Sequence, residues 1–359
     1  MTLTACYYLE MKNNTRQKHD NKKNILIVTV IAFCTVLLSA CAEQTEATQE
    51  KLVVYSGRKE SLVQPIIDQF SAVTGIEVMV KYGQTAEIAS MIMEEGENSP
   101  ADLFWAQDPG GLGAVKAADM LSQLPEESLQ KVPTRFRDSK GQWVGISGRA
   151  RVIVYNTDNI DPERDLPSDL WGFTDPEWKG RLGWAPTNGS FQAMVTALRS
   201  TWGEEKTKEW LEGIIANDVG VYPKNTPQVA AAAAGEIDVG FVNHYYLHRF
   251  IAAEGENFAA RNFFLPDGGP GSLVMVAGVG TLNSAENVEN AQKFIDFLLS
   301  PVAQQYFAGQ TYEYPLVEGV KIHRELKPIE ELNAVDIDLT DLSDLQGTVK
   351  LLTEVGALE

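Results

Sequence analysis

Two short apolar strands flanking one helical stretch open the foldable part of this chain, and that order leaves few architectures open. Leu52-Val53-Val54-Tyr55 is an uninterrupted apolar run of strand length. From Ser61 onward, Leu62, Val63, Ile66, Ile67, Phe70 and Val73 recur on one face at helical spacing. Gly75 is well placed to end that helix. Ile76, Val78, Val80 and Tyr82 then alternate with Glu77, Met79 and Lys81, the period of a strand. Strand, helix and strand in that order imply a parallel pair with a right-handed crossover.

Further units follow. Ala101-Asp102-Leu103-Phe104-Trp105 reads as a strand ahead of Gly110-Gly111-Leu112-Gly113, and residues 151–155 read as another. Thr226-Pro227 starts a helix that runs through the alanines at 230–234 and stops at Gly235, with proline in the first turn and glycine just past the end. Ala291, Phe294, Ile295, Leu298 and Leu299 mark a late amphipathic helix. The fold class is therefore α/β. A chain of 359 residues exceeds one ordinary core and implies two domains. No long low-complexity linker separates them, so the domains are expected to exchange chain more than once.

The N-terminus stands apart. Lys12, Arg16, Lys18, Lys22 and Lys23 form a basic segment, residues 25–40 are uncharged and mostly apolar, and the stretch ends in Leu38-Ser39-Ala40-Cys41. Basic segment, short apolar core and small residues before a cut read as a signal peptide covering 1–40. Leu-Ser-Ala ahead of a cysteine is similar to a lipobox, in which Cys41 is acylated and becomes the first residue. A plain secretory signal or a membrane anchor is the competing reading. Residues 42–50 are polar and read as a tether. Cys6 and Cys34 fall in the removed segment, so the mature domain holds no other thiol and draws its stability from core size. The formal charge is −19 at pH 7, and the part after Cys41 is more acidic still because the basic segment is lost. That balance argues against nucleic acid and anionic membrane surfaces as partners. It does not by itself identify a cation ligand.

Chemistry concentrates at Asn243-His244-Tyr245-Tyr246, which follows the apolar run Val239-Gly240-Phe241-Val242. Adjacent side chains on a strand point to opposite faces. At a strand-to-helix junction, with Asn243 as N-cap, both phenols would share the first helical turn. The positive helix end favours an anion there, and as phenolates the pair would suit a hard, highly charged cation. Out of context, one core ring and one surface ring is the commoner explanation. Ser147-Gly148-Arg149-Ala150-Arg151 offers small residues and guanidiniums, an anion cradle or an ordinary turn. Pro186-Thr187-Asn188-Gly189-Ser190-Phe191 leads into a helix over 192–198, and helix N-termini bind anions. Tyr55-Ser56-Gly57-Arg58 ends the first strand at its carboxyl edge, where open α/β sheets hold ligands.

Enzyme signatures are missing from the sequence: no Gly-x-Ser-x-Gly elbow, no phosphate loop and no Gly-x-Gly-x-x-Gly. His244 and His248 stand four apart without the carboxylate of a zinc-protease motif. Asp336, Asp338, Asp341 and Asp344 lack calcium-loop spacing and read as a solvated face. A hydrolase built on Ser147 or Ser190 with His244 would need a third, orienting group that the sequence does not supply.

Taken together, Val54-Tyr55-Ser56-Gly57-Arg58, Ser99-Pro100-Ala101-Asp102-Leu103-Phe104, Ser147-Gly148-Arg149 with Val152-Ile153-Val154-Tyr155, Trp178-Lys179-Gly180-Arg181 with Gly183-Trp184, Asn243-His244-Tyr245-Tyr246 and Glu313-Tyr314-Pro315-Leu316 occur in a telling order. In these motifs nearly the whole mature chain resembles the ferric-iron-binding subfamily of ABC-transporter periplasmic solute-binding proteins. The resemblance implies a two-lobed type II periplasmic-binding fold with the ligand between lobes, and crossing strands near Phe104-Trp105-Ala106-Gln107 and Val274-Met275-Val276-Ala277. It implies a first lobe of 51–107 plus 276–327 and a second of 108–275 plus 328–359. It implies no enzyme activity, Fe³⁺ as transported ligand, carbonate or phosphate as synergistic anion, and a permease as partner of a lipid-anchored, monomeric, exported protein. Tyr245 and Tyr246 match the family's metal-binding pair, and Tyr55 a third tyrosine used by some members. Ser147, Gly148 and Arg149 match the anion turn, with Thr187, Asn188 and Asn243 beside it.

The chain departs from that pattern in three places. Arg58-Lys59 occupy the segment where one branch has a histidine. Ala86 stands where that branch has a carboxylate, with Glu87 one position on. Asn188 sits where another branch has a further tyrosine. The anion would then supply more of the coordination, with Glu87 and Arg58 as extra candidates. An organic cation or a phosphonate remains the alternative cargo.

Overall fold

The chain begins with the expected parallel pair. In the computed structural model, which describes residues 51–335 and 337–358, β1 (Lys51–Ser56) and β2 (Glu77–Tyr82) pair in parallel, with Val54 opposite Val80. The signal segment, Cys41 and the tether lie outside the described residues. The intervening α1 (Glu60–Thr74) buries Leu62, Val63, Ile66, Ile67 and Phe70. Val73, expected on that face, lies near the helix end and is 66% exposed. Gly75 ends the helix at φ 76°, donating its N–H to Ser71 O. The second crossover helix, α2 (Thr85–Glu95), leads to the fully buried β3 (Leu103–Ala106).

After β3 the chain passes through α3 (Pro109–Ala117), started by the Asp108 side chain accepting from Gly111 N–H, and the short α4 (Glu126–Leu129). It then enters β4 (Val144–Asn156), buried along its whole length. Beyond β4 come β5 (Leu182–Trp184), α5 (Gly189–Trp202), α6 (Glu204–Ala216), β6 (Gly220–Val221), α7 (Asn225–Ala234), β7 (Val239–Asn243), α8 (Tyr245–Glu254) and β8 (Ala260–Phe263). The last part holds β9 (Val274–Thr281), α9 (Val288–Leu298), α10 (Pro301–Gln310), β10 (Tyr314–Pro315) and α11 (Leu345–Glu354).

Strand order is β2-β1-β3-β9-β4-β7-β5-β6, with β8 and β10 also on β4. β4 is the hinge of this arrangement. Its first part, to Ala150, pairs antiparallel with β9, and its second, from Arg151, pairs antiparallel with β7 and β8. The two sheets therefore meet where Ala150 opposes Val274 and Arg151 N–H donates to Leu273 O. One of the two expected crossings falls here, at the start of β9. The other lies later than expected. Phe104, Trp105 and Ala106 stay in the first sheet, opposite Gly280, Val279 and Gly278. Residues after them still touch that sheet, through the Leu121–Leu282 and Arg137–Val144 bridges. A thirteen-residue strand reaches from one sheet to the other, whereas the four residues of β3 do not.

Two apolar clusters fill the molecule, the larger running from the first sheet across to Val152, Val154 and Val242 of the second. One gathers α1, β1, β3, β9 and α9 around Trp105, which meets Phe294 and Phe307 edge-on. The other gathers Phe173, Trp178, Trp184, Phe191, Trp210 and Phe241. The C-terminal helix joins α5 through the Thr196–Thr348 hydroxyl pair and the Arg199–Asp344 ion pair.

Candidate metal and anion centre

β7 delivers its chain end to the line where the sheets meet. Tyr245 and Tyr246 are the first two residues of α8, as a strand-to-helix junction requires. Their rings stack with centroids 4.3 Å apart and planes 28° apart, and both are buried. The turn is locked by His244. Its Nδ1 accepts from Ala150 N–H at 3.1 Å, and its Nε2 lies 2.7 Å from Tyr312 O. That pair of partners sets a neutral ring with the proton on Nε2. Burial, with His248 nearby, lowers the His244 pKa to about 4.

Asn243 does not act as the cap. Its Oδ1 accepts from Arg151 Nη1 at 3.0 Å and its Nδ2 donates to Ser190 Oγ at 3.1 Å. The residue is the last of a buried strand, so its side chain reaches across the site instead of curling onto α8. The Ser–His hydrolase fails on the same contacts, because both His244 nitrogens are engaged by backbone and neither touches Ser147 or Ser190.

Ser147, Arg149 and Arg151 alternate along β4 and so share a face. Ser147 Oγ donates to Glu313, and Arg58 Nη2 donates to the other oxygen of that carboxylate at 2.5 Å. Arg58, Arg149, Arg151 and Glu313 are all buried. Among the described residues no partner meets Nε or Nη1 of Arg58, any side-chain nitrogen of Arg149, Nε or Nη2 of Arg151, or the Tyr245 hydroxyl. Buried donors left in that state are costly, and buried guanidiniums more so. Such an arrangement can take up anionic groups that supply acceptors.

The electrostatics agree. Burial lowers Arg149, and Arg58 beside it lowers it further. Arg151 falls to about 9 through burial, despite the two phenols. Burial pushes Glu313 up, but Arg58, Arg149 and the Ser147 hydroxyl outweigh it and hold the carboxyl below its usual range. Burial raises the Tyr245 phenol well above 10 and Tyr246 raises it further, while Arg149 and Arg58 pull the other way.

A cleft of about 550 Å³ opens over Tyr246. One wall carries Arg58, Lys59, Gln84, Glu87 and Gln107; the other carries Thr187, Asn188 and Lys224. Lys59 Nζ stands 5.9 Å from the centre of the Tyr246 ring. Gln107 Nε2 reaches Ser190 Oγ at 3.4 Å, tying the walls together. Asn188 caps α5 through Ser190 N–H. Gly148 lies between Tyr314 and Val276 in the sheet, leaving its neighbours Ser147 and Arg149 to face the site. Glu87 sits at the exposed rim, where its carboxylate accepts from Gln84 N–H and completes a capping box for α2.

Tyr55 is not part of this group. Its hydroxyl donates to Glu95 Oε1 at 3.1 Å, at the far end of α2, and Lys81 stands over its ring. Burial and Glu95 push its pKa up to about 12. Strand alternation explains the misplacement: Ser56, one residue on, faces opposite. Conversely, Glu313 and Lys59 belong to the site or its edge without having been singled out for a role, and the Asp108 carboxyl acts on Arg149 from nearby. Arg151, offered with Arg149 as part of an anion cradle, shares a face with Ser147 and Arg149 through their period-two spacing. Nothing in the sequence pairs Glu313 with Arg58 across more than two hundred residues.

Two sheets sharing one long strand, with a charged cleft beside it, define a two-lobed solute-binding protein of the type II periplasmic fold. Residues 98–339 match the bacterial extracellular solute-binding protein family, and the chain belongs to it, in the ferric-iron-binding subfamily of periplasmic binding proteins, which are not enzymes. It is similar to the major ferric iron-binding protein of Neisseria meningitidis serogroup B, 34% identical over 326 residues, covering 89% of this chain and 97% of the relative. The iron-bound structure of HitA from Pseudomonas aeruginosa has a TM-score of 0.82 at 34% identity, covering 86% and 99% of the two chains. The Trichodesmium protein in complex with iron and citrate ligands has a TM-score of 0.75 at 30% identity, covering 85% and 99%.

Proposed function

We propose that this chain captures ferric iron outside the cytoplasm with a synergistic anion and hands it to an ABC-transporter permease. The observation that carries the reading is the stacked phenol pair in the first turn of α8, with the Tyr245 hydroxyl buried, unpartnered among the described residues and flanked by arginines. Tyr245 and Tyr246 are the metal ligands. Ser147, Arg149, Thr187, Asn188 and Asn243 frame the anion, carbonate or phosphate, with Gly148 holding Ser147 and Arg149 in the strand. The helix N-terminus favours negative charge on both phenols, and the bound trivalent ion drives off their protons. Cargo held between both walls stabilises the closed cleft by its differential affinity for that state. Export and acylation at Cys41 complete the proposal, with the chain acting as a monomer.

Adding ferric citrate to the apo-protein should produce a visible phenolate-to-iron charge-transfer band. The band should vanish in Tyr245→Phe/Tyr246→Phe, with affinity lower by at least about a hundredfold, the scale of losing two charged ligands. A protein that stays colourless and takes up no iron contradicts the reading. A phosphonate is the second candidate, because three buried guanidiniums suit an oxyanion; they equally disfavour an organic cation. Calorimetry with an alkylphosphonate in the absence of iron tests it.

A further inference from the structure

Just past the phenol pair, α8 lines a second cavity that the proposed function does not use. It measures about 330 Å³ and lies between α8, β8 and the segment 325–327. It shares no lining residue with the cleft over Tyr246. Its floor is apolar: Leu247 and Ile251 of α8 are buried, as is Leu326, and Phe264 stands beside them.

Polar atoms left without partners line the same space. His248 is only 8% exposed, and its Nδ1 makes no hydrogen bond among the described residues; Glu325 Oε2 stands 3.5 Å away. Tyr312, at φ 58° where a bulky residue is rare, stacks on the His248 ring with centroids 5.4 Å apart and limits its rotation. Asn262 donates through Nδ2 to His244 O at 2.8 Å, while its buried Oδ1 accepts from nothing among the described residues. The bond to His244 O keeps that amide from flipping. A buried acceptor in this state is costly. An apolar floor with a few unfilled polar groups, in a cavity of this size, marks a small-molecule site.

The rim carries both signs of charge, Glu256 and Glu325 against Arg261 and Lys327. Arg261 is occupied by the carbonyls of Glu256, Phe258 and Ala260. Lys327 Nζ stands 5.7 Å from the centre of the Phe264 ring. Balanced charge suits a molecule that bears both signs better than a plain cation or anion.

We propose that this cavity is a second ligand site, taking a small zwitterionic amino acid with an apolar side chain. Its ammonium brings three donors, for the Glu325 carboxylate, Asn262 Oδ1 and the His248 ring nitrogen. Its carboxylate meets Lys327. Its side chain covers Leu247, Ile251 and Leu326. The site goes beyond the ferric reading and does not depend on it.

Calorimetry on the full chain, with L-leucine as probe, tests the proposal. Wild type should bind it at a single site with a Kd of about 1 mM or tighter. Isocaproate, which lacks the ammonium, and isopentylamine, which lacks the carboxylate, should each bind at least about tenfold more weakly, the scale of one charge-assisted contact. Glu325→Gln and Lys327→Met should each weaken leucine by a similar factor. Both side chains reach solvent, so both variants should fold. Tyr245→Phe/Tyr246→Phe, which removes the phenols of the cleft, should bind leucine as wild type does. No saturable binding of leucine overturns the proposal, as does wild-type affinity in Glu325→Gln or Lys327→Met. Equal binding of isocaproate or isopentylamine overturns the zwitterion. Leucine binding that disappears with the phenols places the ligand in the cleft and also overturns it. The ferric reading fails separately, on the visible iron band.

Discussion

At the scale of single residues, the site is a set of charges held out of water. In the free protein the Tyr245 phenol is protonated, because burial and Tyr246 hold its pKa well above 10. Under the proposed function, iron binding expels that proton. The free state then carries protons that the loaded state lacks, so affinity rises with pH and falls as pH drops. About one to two protons should be released per iron, read by titration in weakly buffered solution. The excluded tyrosine offers a control. Tyr55→Phe removes a hydroxyl bonded to Glu95, away from the phenol pair. It should leave the charge-transfer band unchanged and cost about 1 kcal/mol of stability.

At the scale of elements, the β7–α8 junction is fastened by a neutral histidine. The His244 pKa is about 4 in the fold against 6.5 ordinarily. Between those values the unfolded chain takes up a proton that the folded chain refuses. Its contribution is intact above about pH 6.5 and is lost as pH falls through about 4, on the order of 3 kcal/mol in all. Denaturant titrations across that window should show His244→Gln with a shallower pH slope than wild type, by about one proton. The loop between β1 and α1 is equally constrained. A Cβ at Gly57 would lie 2.3 Å from Thr85 Oγ1 and 2.9 Å from Thr85 Cα. Gly57→Ala should cost about 1–3 kcal/mol in thermal unfolding and weaken iron binding by displacing Arg58.

At the scale of the whole molecule, β4 and β9 carry the chain between sheets, and the site lies where they do so. Parallel β1 and β2, the helices over 60–74 and 225–234, and the α/β class were legible because local periodicity and capping residues decide them. The phenol pair was legible because a buried strand running into a helix forces adjacent side chains into one turn. The position of the first crossing was not, since β3 and β4 look alike as apolar runs and only pairing partners separate them. Tyr55 was misplaced for a related reason: sequence tells which residues alternate but not which face meets the cleft. What the sequence alone determined was the α/β class, the opening strands and helices, and that two phenols stand side by side at a strand-to-helix junction, because near-neighbour spacing encodes these; the family came from motifs in a characteristic order. Only the tertiary structure decided that Arg58, Arg149, Arg151 and Glu313 form one buried cluster of charges, because groups from distant segments acquire a common environment when the chain closes around them.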